Sequence, residues 1–247
     1  SASARVVPWL AVALAFGSLR GSEPARAGER PESPTETTRP GTGTIEGKVL
    51  YKKDPARPWR LGRYYIKNAR SGELAEAVVA LSRRGLKAPE DNRQPATVTV
   101  DQKDFQFTPE TIAIRAGDHV RFLNSDDATH NVRLSHLRLS FNVNMPAGGE
   151  HVEKFPVAGG IQRPFEIGCV YHGAMRSWVF VFDHPWFQLT GSDGAFRLTD
   201  IPPGEYRLEV VHPAGSLSAS RTITVEADKT VTAEFLLSPD DLRNAEK

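Results

Sequence analysis

The feature that most constrains this chain is a succession of short apolar–polar alternations, each cut off by glycine, proline or aspartate. Ile112/Ile114, Val120/Phe122 and Val231/Ala233/Phe235 show the alternation, and a period of two puts every second side chain on one face of a strand. Strands are predicted over residues 45–51, 77–81, 97–101, 111–115, 119–124, 141–143 and 152–157, then 165–168, 178–182, 195–198, 205–211, 221–225 and 231–237. Gly117-Asp118, residues 146–149, Asp193-Gly194 and Pro202-Pro203-Gly204 supply turn chemistry between them. Beyond the N-terminal segment no helical period persists for more than a few residues. The expected fold is all-β, built of sandwiches.

Cys169 is the one cysteine among 247 residues, and Met145 and Met175 are the two methionines. An intramolecular disulfide and a zinc site needing several thiolates are both excluded. A net charge of +1 provides no field for nucleic acid or an acidic membrane, so neither is an expected partner. Arg5 precedes an apolar run over residues 6–16, and Ala25-Arg26-Ala27 offers a small-residue cleavage site. Residues 1–27 therefore read as a signal peptide, placing the mature protein in the periplasm or outside the cell. The run is shorter than the roughly 20 apolar residues that cross a bilayer, so no integral span is expected in the mature chain. The plainer alternative is an apolar N-terminal helix of the fold. Residues 28–43, rich in Pro, Thr, Glu and Arg, read as a disordered linker, and residues 239–247 as a tail.

The chemistry concentrates in Cys169-Val170-Tyr171-His172-Gly173-Ala174-Met175, between two predicted strands. Ligand types recur here every third residue, and a tight loop of about three residues per turn would put them on one side. Thiolate, imidazole and thioether, joined by a second imidazole, make the His₂Cys set with a weak axial Met that suits copper in both oxidation states. His130, reached from strand 119–124 through residues 125–129, is the candidate for that second imidazole. Taken singly, Cys169 is a buried thiol, Met175 is packing, and His130 and His172 are surface imidazoles. The joint spacing favours the metal. His119, His136, His151, His184 and His212 lack partners at ligand spacing and read as structural or solvated.

These motifs resemble the cupredoxins, plastocyanin and amicyanin among them. Phe107-Thr108-Pro109, Ile112-Ala113-Ile114 and Gly117-Asp118-His119-Val120 carry the likeness. So do Asp127-Ala128-Thr129-His130-Asn131-Val132, Pro146-Ala147-Gly148-Gly149-Glu150 and the spacing of Cys169, His172 and Met175. The resemblance covers residues 95–183 and implies a Greek-key sandwich holding one type 1 (blue) copper. It implies His130, Cys169 and His172 as equatorial ligands and Met175 as the axial one. It further implies that Asn131 ties the two ligand loops together near the thiolate, and that His172 is a surface port ringed by Gly173, Ala174, Met145, Pro146 and Ala147. Tyr171 departs from the family, standing where a proline often precedes the ligand histidine.

A second resemblance lies outside that stretch. Asp193-Gly194-Ala195-Phe196 and residues 201–210 are similar to the carboxypeptidase regulatory-like domain, a transthyretin-like sandwich. Its earlier strands match Gly47-Lys48-Val49 and Ala77-Val78-Val79-Ala80-Leu81, on the far side of the copper motifs. The expected organisation is thus an insertion: residues 44–94 and 184–238 form one small sandwich, interrupted by the cupredoxin-like residues 95–183. Two consecutive domains with a short N-terminal element are the alternative.

Residues 52–70 hold Lys52, Lys53, Arg57, Arg60, Arg63, Lys67 and Arg70 against Asp54 alone, interleaved with Trp59, Tyr64 and Tyr65. The stretch is favoured as a solvated basic loop, the other reading being a dock for an acidic redox partner or a polyanion. The leading function is electron transfer with a redox partner protein by Cu(I)/Cu(II) cycling. Four protein ligands leave no open position for substrate, which argues against an enzyme. A copper carrier or storage protein, and an adhesion or scaffold sandwich with structural copper, are the alternatives.

Overall fold

The computed structural model describes residues 39–52, 70–89, 92–215, 217–238 and 240. The expected signal peptide lies outside the described residues, as do most of the linker, residues 53–69 of the basic stretch and all of the tail but Asp240. Among the described residues no helix is long and apolar enough to cross a membrane.

Two strands come first, β1 (Gly43–Tyr51) and β2 (Val78–Ser82). Then follow β3 (Thr97–Lys103), β4 (Gln106–Thr108), β5 (Thr111–Arg115), β6 (His119–Asn124) and β7 (His130–His136). Next are β8 (Leu139–Met145), β9 (Glu150–Lys154), β10 (Phe165–Gly168) and β11 (Arg176–Phe182). β12 (Phe187–Leu189), β13 (Ala195–Ile201), β14 (Gly204–His212), β15 (Leu217–Val225) and β16 (Thr230–Leu237) complete the fold. The fold is all-β. Each predicted strand has a counterpart, and β4, β7 and β12 are additional. The strand expected over residues 152–157 ends at Lys154, just ahead of Pro156, whose missing N–H cannot continue a ladder.

Residues 97–182 form two facing sheets, ordered β5-β11-β10-β7-β8 and β4-β3-β6-β9. Val100, Phe122, Phe155, Ile167 and Val179 fill the space between them, and Cys169 and Met175 belong to the same core. The remaining strands make a second pair of sheets, β13-β1-β16 and β12-β2-β14-β15, around Ile45, Val49, Tyr206, Leu208 and Phe235. Here β1 runs parallel to β16, from Thr44 opposite Thr230 to Tyr51 opposite Leu237, and antiparallel to β13. β2 lies between β12 and β14. Two glycines permit this packing. A Cβ on Gly47 would come within 1.6 Å of the Ala233 carbonyl oxygen, and Gly194 adopts φ +69° with its backbone against β1.

The sequence of β2 explains how the two sandwiches meet. Val78, Val79, Ala80 and Leu81 are all buried, so the segment is continuously apolar instead of alternating. Val79 and Leu81 join the core of their own sandwich. Val78 and Ala80 pack with Ile161, Phe180 and Phe182 of the other. Phe182 and Phe187 stack there, with ring centroids 4.4 Å apart.

Candidate metal centre

Three of the four candidate ligands border a strand, and His172 lies in the middle of the loop between β10 and β11. His130 is the first residue of β7, not a loop residue. Asn124, at the end of β6, shapes the approach to it: its side-chain amide donates to the carbonyls of Ala128 (2.9 Å) and Met145 (2.8 Å), while its Oδ1 accepts from the amide of Asp126 (3.1 Å). Buried Gln102 donates from Nε2 to the Asn131 carbonyl at 3.0 Å, fixing the start of β7 from the facing sheet. Cys169 directly follows β10 and Met175 directly precedes β11, which are antiparallel neighbours with Gly168 opposite Arg176. The seven-residue connection closes on itself: the Met175 amide donates to the His172 carbonyl at 2.9 Å, and the Cys169 amide to the Met175 carbonyl at 3.3 Å.

This geometry brings three donors together. The Nδ1 atoms of His130 and His172 lie 3.0 Å apart, and Cys169 Sγ is 3.7 Å from His172 Nδ1. One ligand atom from each of His130, Cys169 and His172 falls within 4.8 Å of the others. His130 is fully buried, Cys169 and Met175 are buried, and His172 is half-buried. His130 Nε2 lies 2.7 Å from Asp126 Oδ2. A carboxylate accepts, so Nε2 carries the proton and Nδ1 presents its lone pair to the cluster. The Phe105 amide foremost, with His130 and the Asp104 amide, holds the Asp126 carboxyl below the usual carboxylate range. Thiolate and two imidazoles, with a buried thioether on the same short loop, form a donor set that fits a copper ion.

Several surroundings differ from expectation. The Asn131 amide donates to Asn142 Oδ1 (2.7 Å) and to the Val143 carbonyl (3.2 Å), on β8, not to the Cys169 loop. The tie between the two ligand segments passes through Asn144 instead. Its Oδ1 accepts from Asn131 at 3.3 Å and from the Tyr171 hydroxyl at 2.9 Å. Tyr171, which cannot stiffen the loop as proline would, thereby anchors it by a hydrogen bond. Around His172, Pro146, Ala147, Gly173 and Ala174 are exposed, but Met145 is buried, paired in register with His130.

Phe105 is the neighbour that sequence reasoning missed. Its ring meets both imidazoles edge-on, with centroids 5.2 Å from His130 and 4.9 Å from His172, yet it remains 52% exposed. Val170 and Tyr171 are exposed beside the same loop. A Phe-Gln-Phe sequence gives no hint of this, because the contact depends on a turn conformation rare for phenylalanine.

Residues 95–162 match the family of copper binding proteins, plastocyanin/azurin family. No curated protein matches the chain. Among solved structures, a methionine-to-alanine variant of amicyanin in its Cu(I) form is similar at 18% identity and a TM-score of 0.32, covering 42% of this chain and 98% of that one. A purple cupredoxin from Nitrosopumilus maritimus is similar at 18% identity and a TM-score of 0.29, over 34% of this chain and 98% of that one. A copper-containing nitrite reductase from Thermus scotoductus SA-01 is similar at 23% identity and a TM-score of 0.31, over 41% of this chain and 25% of that one. The family likeness rests on residues 95–162, a part of the chain that holds His130 and ends before Cys169.

Proposed function

We propose that this chain binds one copper ion as a type 1 centre and passes single electrons to and from a redox partner protein. The observation that carries the proposal is the convergence of His130 Nδ1, at the head of β7, with Cys169 Sγ and His172 Nδ1 of the β10–β11 loop, His130 and His172 being 42 residues apart in sequence. These three residues would hold the metal, with Met175 as a weak fourth ligand. The family match over residues 95–162 supports copper as the metal.

Copper would supply a one-electron couple; the protein supplies a site that changes little between oxidation states. Asp126 fixes the His130 imidazole through Nε2, and from the facing sheet Gln102 holds β7 while Asn124 holds the approach to it and the end of β8. The Cys169–Met175 loop is closed by its own backbone hydrogen bonds. A donor set fixed before metal arrives reorganises little on electron gain or loss, which favours transfer over chemistry on a substrate. Four ligands from the protein would leave no position for substrate, so the proposed role is carrier, not enzyme.

Domain organisation belongs to the same reading. Residues 44–94 and 184–238 would be one regulatory-like sandwich interrupted by the copper-binding residues 95–183; the pairing of β1 with β13 and β16, and of β2 with β12 and β14, supports it. The composition of residues 1–27 supports export to the periplasm or the medium. An acidic partner would suit the basic residues 52–70.

Protein-film voltammetry of the copper-loaded protein tests the role. A reversible one-electron wave, with copper retained through repeated cycling, is expected. Loss of Cu(I) to an acceptor protein during cycling would make it a copper carrier instead.

A further inference from the structure

β3 and β4 are joined by a two-residue turn, Asp104-Phe105, with Lys103 opposite Gln106. Both turn residues are left-handed, at φ +54° and +59°. Such a turn suits the twist of a hairpin, but glycine or asparagine normally fills its second position because a side chain there is strained. A phenylalanine is therefore held in place by something outside the turn. That anchor is Asp126. Its Oδ1 accepts from the Asp104 amide at 2.7 Å and its Oδ2 from the Phe105 amide at 3.0 Å. The same Oδ2 lies 2.7 Å from His130 Nε2.

One carboxylate thus serves two tasks. It fixes the tautomer of a candidate ligand, and it holds the strained turn that lays an aromatic ring over both imidazoles. We infer that Asp126 is a positioning residue that couples the His130 imidazole to a Phe105 lid, and that this lid limits the access of outside ligands to the two imidazoles. The inference rests on the metal-site reading for its purpose, but not for its geometry.

The consequences separate by residue. Without Asp126, His130 loses the partner that keeps its proton on Nε2, and the turn loses the acceptor for both of its amides. Phe105 should then leave the imidazoles. Without the Phe105 ring, the lid is gone but the carboxylate still orients His130. A purely structural role for Asp126 would weaken the fold without changing the tautomer.

Nitrogen-15 NMR of the metal-free protein reads this directly, independently of which metal binds. The parent should show His130 with its proton on Nε2, protected Asp104 and Phe105 amides, and ring-current shifts on both imidazoles from Phe105. Asp126→Ala should mix the His130 tautomers, speed exchange of both amides about tenfold or more, and remove the ring-current shifts. Asp126→Asn, which keeps the shape but only one oxygen acceptor, covers the case in which the alanine variant fails to fold: its carbonyl can replace Oδ2, so the tautomer can persist, but the Asp104 amide loses its acceptor and should exchange faster. Phe105→Ala should abolish the ring-current shifts while leaving the tautomer as in the parent.

On the Cu(I)-loaded protein, Asp126→Asn should weaken copper about 10- to 100-fold. Phe105→Ala should instead speed removal of copper by bathocuproine disulfonate. Unchanged tautomer and amide exchange in both Asp126 variants would overturn the coupling, and an unchanged removal rate in Phe105→Ala would overturn the lid. A parent that binds no copper but shows the tautomer change would sink the copper reading and leave the coupling standing.

Discussion

His130 and His172, 42 residues apart in the chain, meet with their Nδ1 atoms 3.0 Å apart. Two imidazole lone pairs approach that closely only with a proton or a cation between them. Asp126 keeps the His130 proton on the opposite nitrogen. A metal ion held by both imidazoles would stand between these two nitrogens.

Met175 should be separable from the other donors. Met175→Leu keeps the volume of a buried side chain and removes the sulfur, so the metal-free protein should lose less than about 1.5 kcal/mol of stability. Copper should still bind, with the thiolate band retained. Losing a donor destabilises Cu(II) more than Cu(I), so the reduction potential should rise. Paired denaturant titrations and voltammograms of parent and variant check both halves.

Asn124 should matter more than its distance from the metal suggests. Its amide is buried and satisfies the Ala128 and Met145 carbonyls. Asn124→Ala strips these partners, and unsatisfied buried polar groups cost about 1–3 kcal/mol each. A loss of about 2 kcal/mol in urea unfolding is expected, with broadened NMR signals for residues 125–130.

Acid should weaken the fold through His212. Burial pushes its pKa down to about 4 from an ordinary value of 6.5. The folded state thus binds the proton less well than the unfolded one. The stability tied to neutral His212 is full above pH 6.5, falls as pH drops through this range, and is gone below about 4. Over that window the shift is worth about 3 kcal/mol. NMR titration should find His212 neutral at pH 5, and His212→Leu should flatten the pH dependence of urea midpoints between 6.5 and 4. Titration of His212 near 6.5 would contradict this.

The sequence made the Cys169–Met175 loop legible because its chemistry is local: spacing alone puts three donor types between two strands. His130 was legible as a donor, but its place at the head of β7 was not, since Val132 and Leu134 are too short an apolar pattern among Asn, Arg, Ser and His. The apolar run of β2 read as a strand, whereas its double-sided burial against Phe180 and Phe182 is a tertiary fact. Asp126 and Phe105 were invisible as partners. Their link depends on consecutive left-handed residues that nothing in Asp-Phe announces. The Asn131 bridge was misread for a similar reason: β8 offers it closer acceptors, and Tyr171 reaches Asn144 from the other side.

The proposed insertion can be tested by excision. β2 and β12 are antiparallel neighbours, with Ala80 opposite Phe187, so a short turn replacing residues 84–184 should leave the outer sandwich able to fold. The cut exposes Val78, Ala80 and Phe187, which pack on Phe180, Phe182 and Ile161. The excised outer sandwich should therefore unfold cooperatively yet bind a separately prepared segment 95–183. Gel filtration of the mixture checks this; two folded pieces that ignore each other would contradict the shared apolar contact.

The central claim is a copper ion bound by the thiolate of Cys169 between two imidazoles, and visible absorption during Cu(II) titration of the metal-free protein tests it most directly. An intense thiolate-to-copper band should grow to one equivalent and stop, and should be absent in Cys169→Ser although that variant keeps its β-sheet circular dichroism. A protein that takes up one equivalent of copper and stays colourless, or a band that survives in Cys169→Ser, would contradict it.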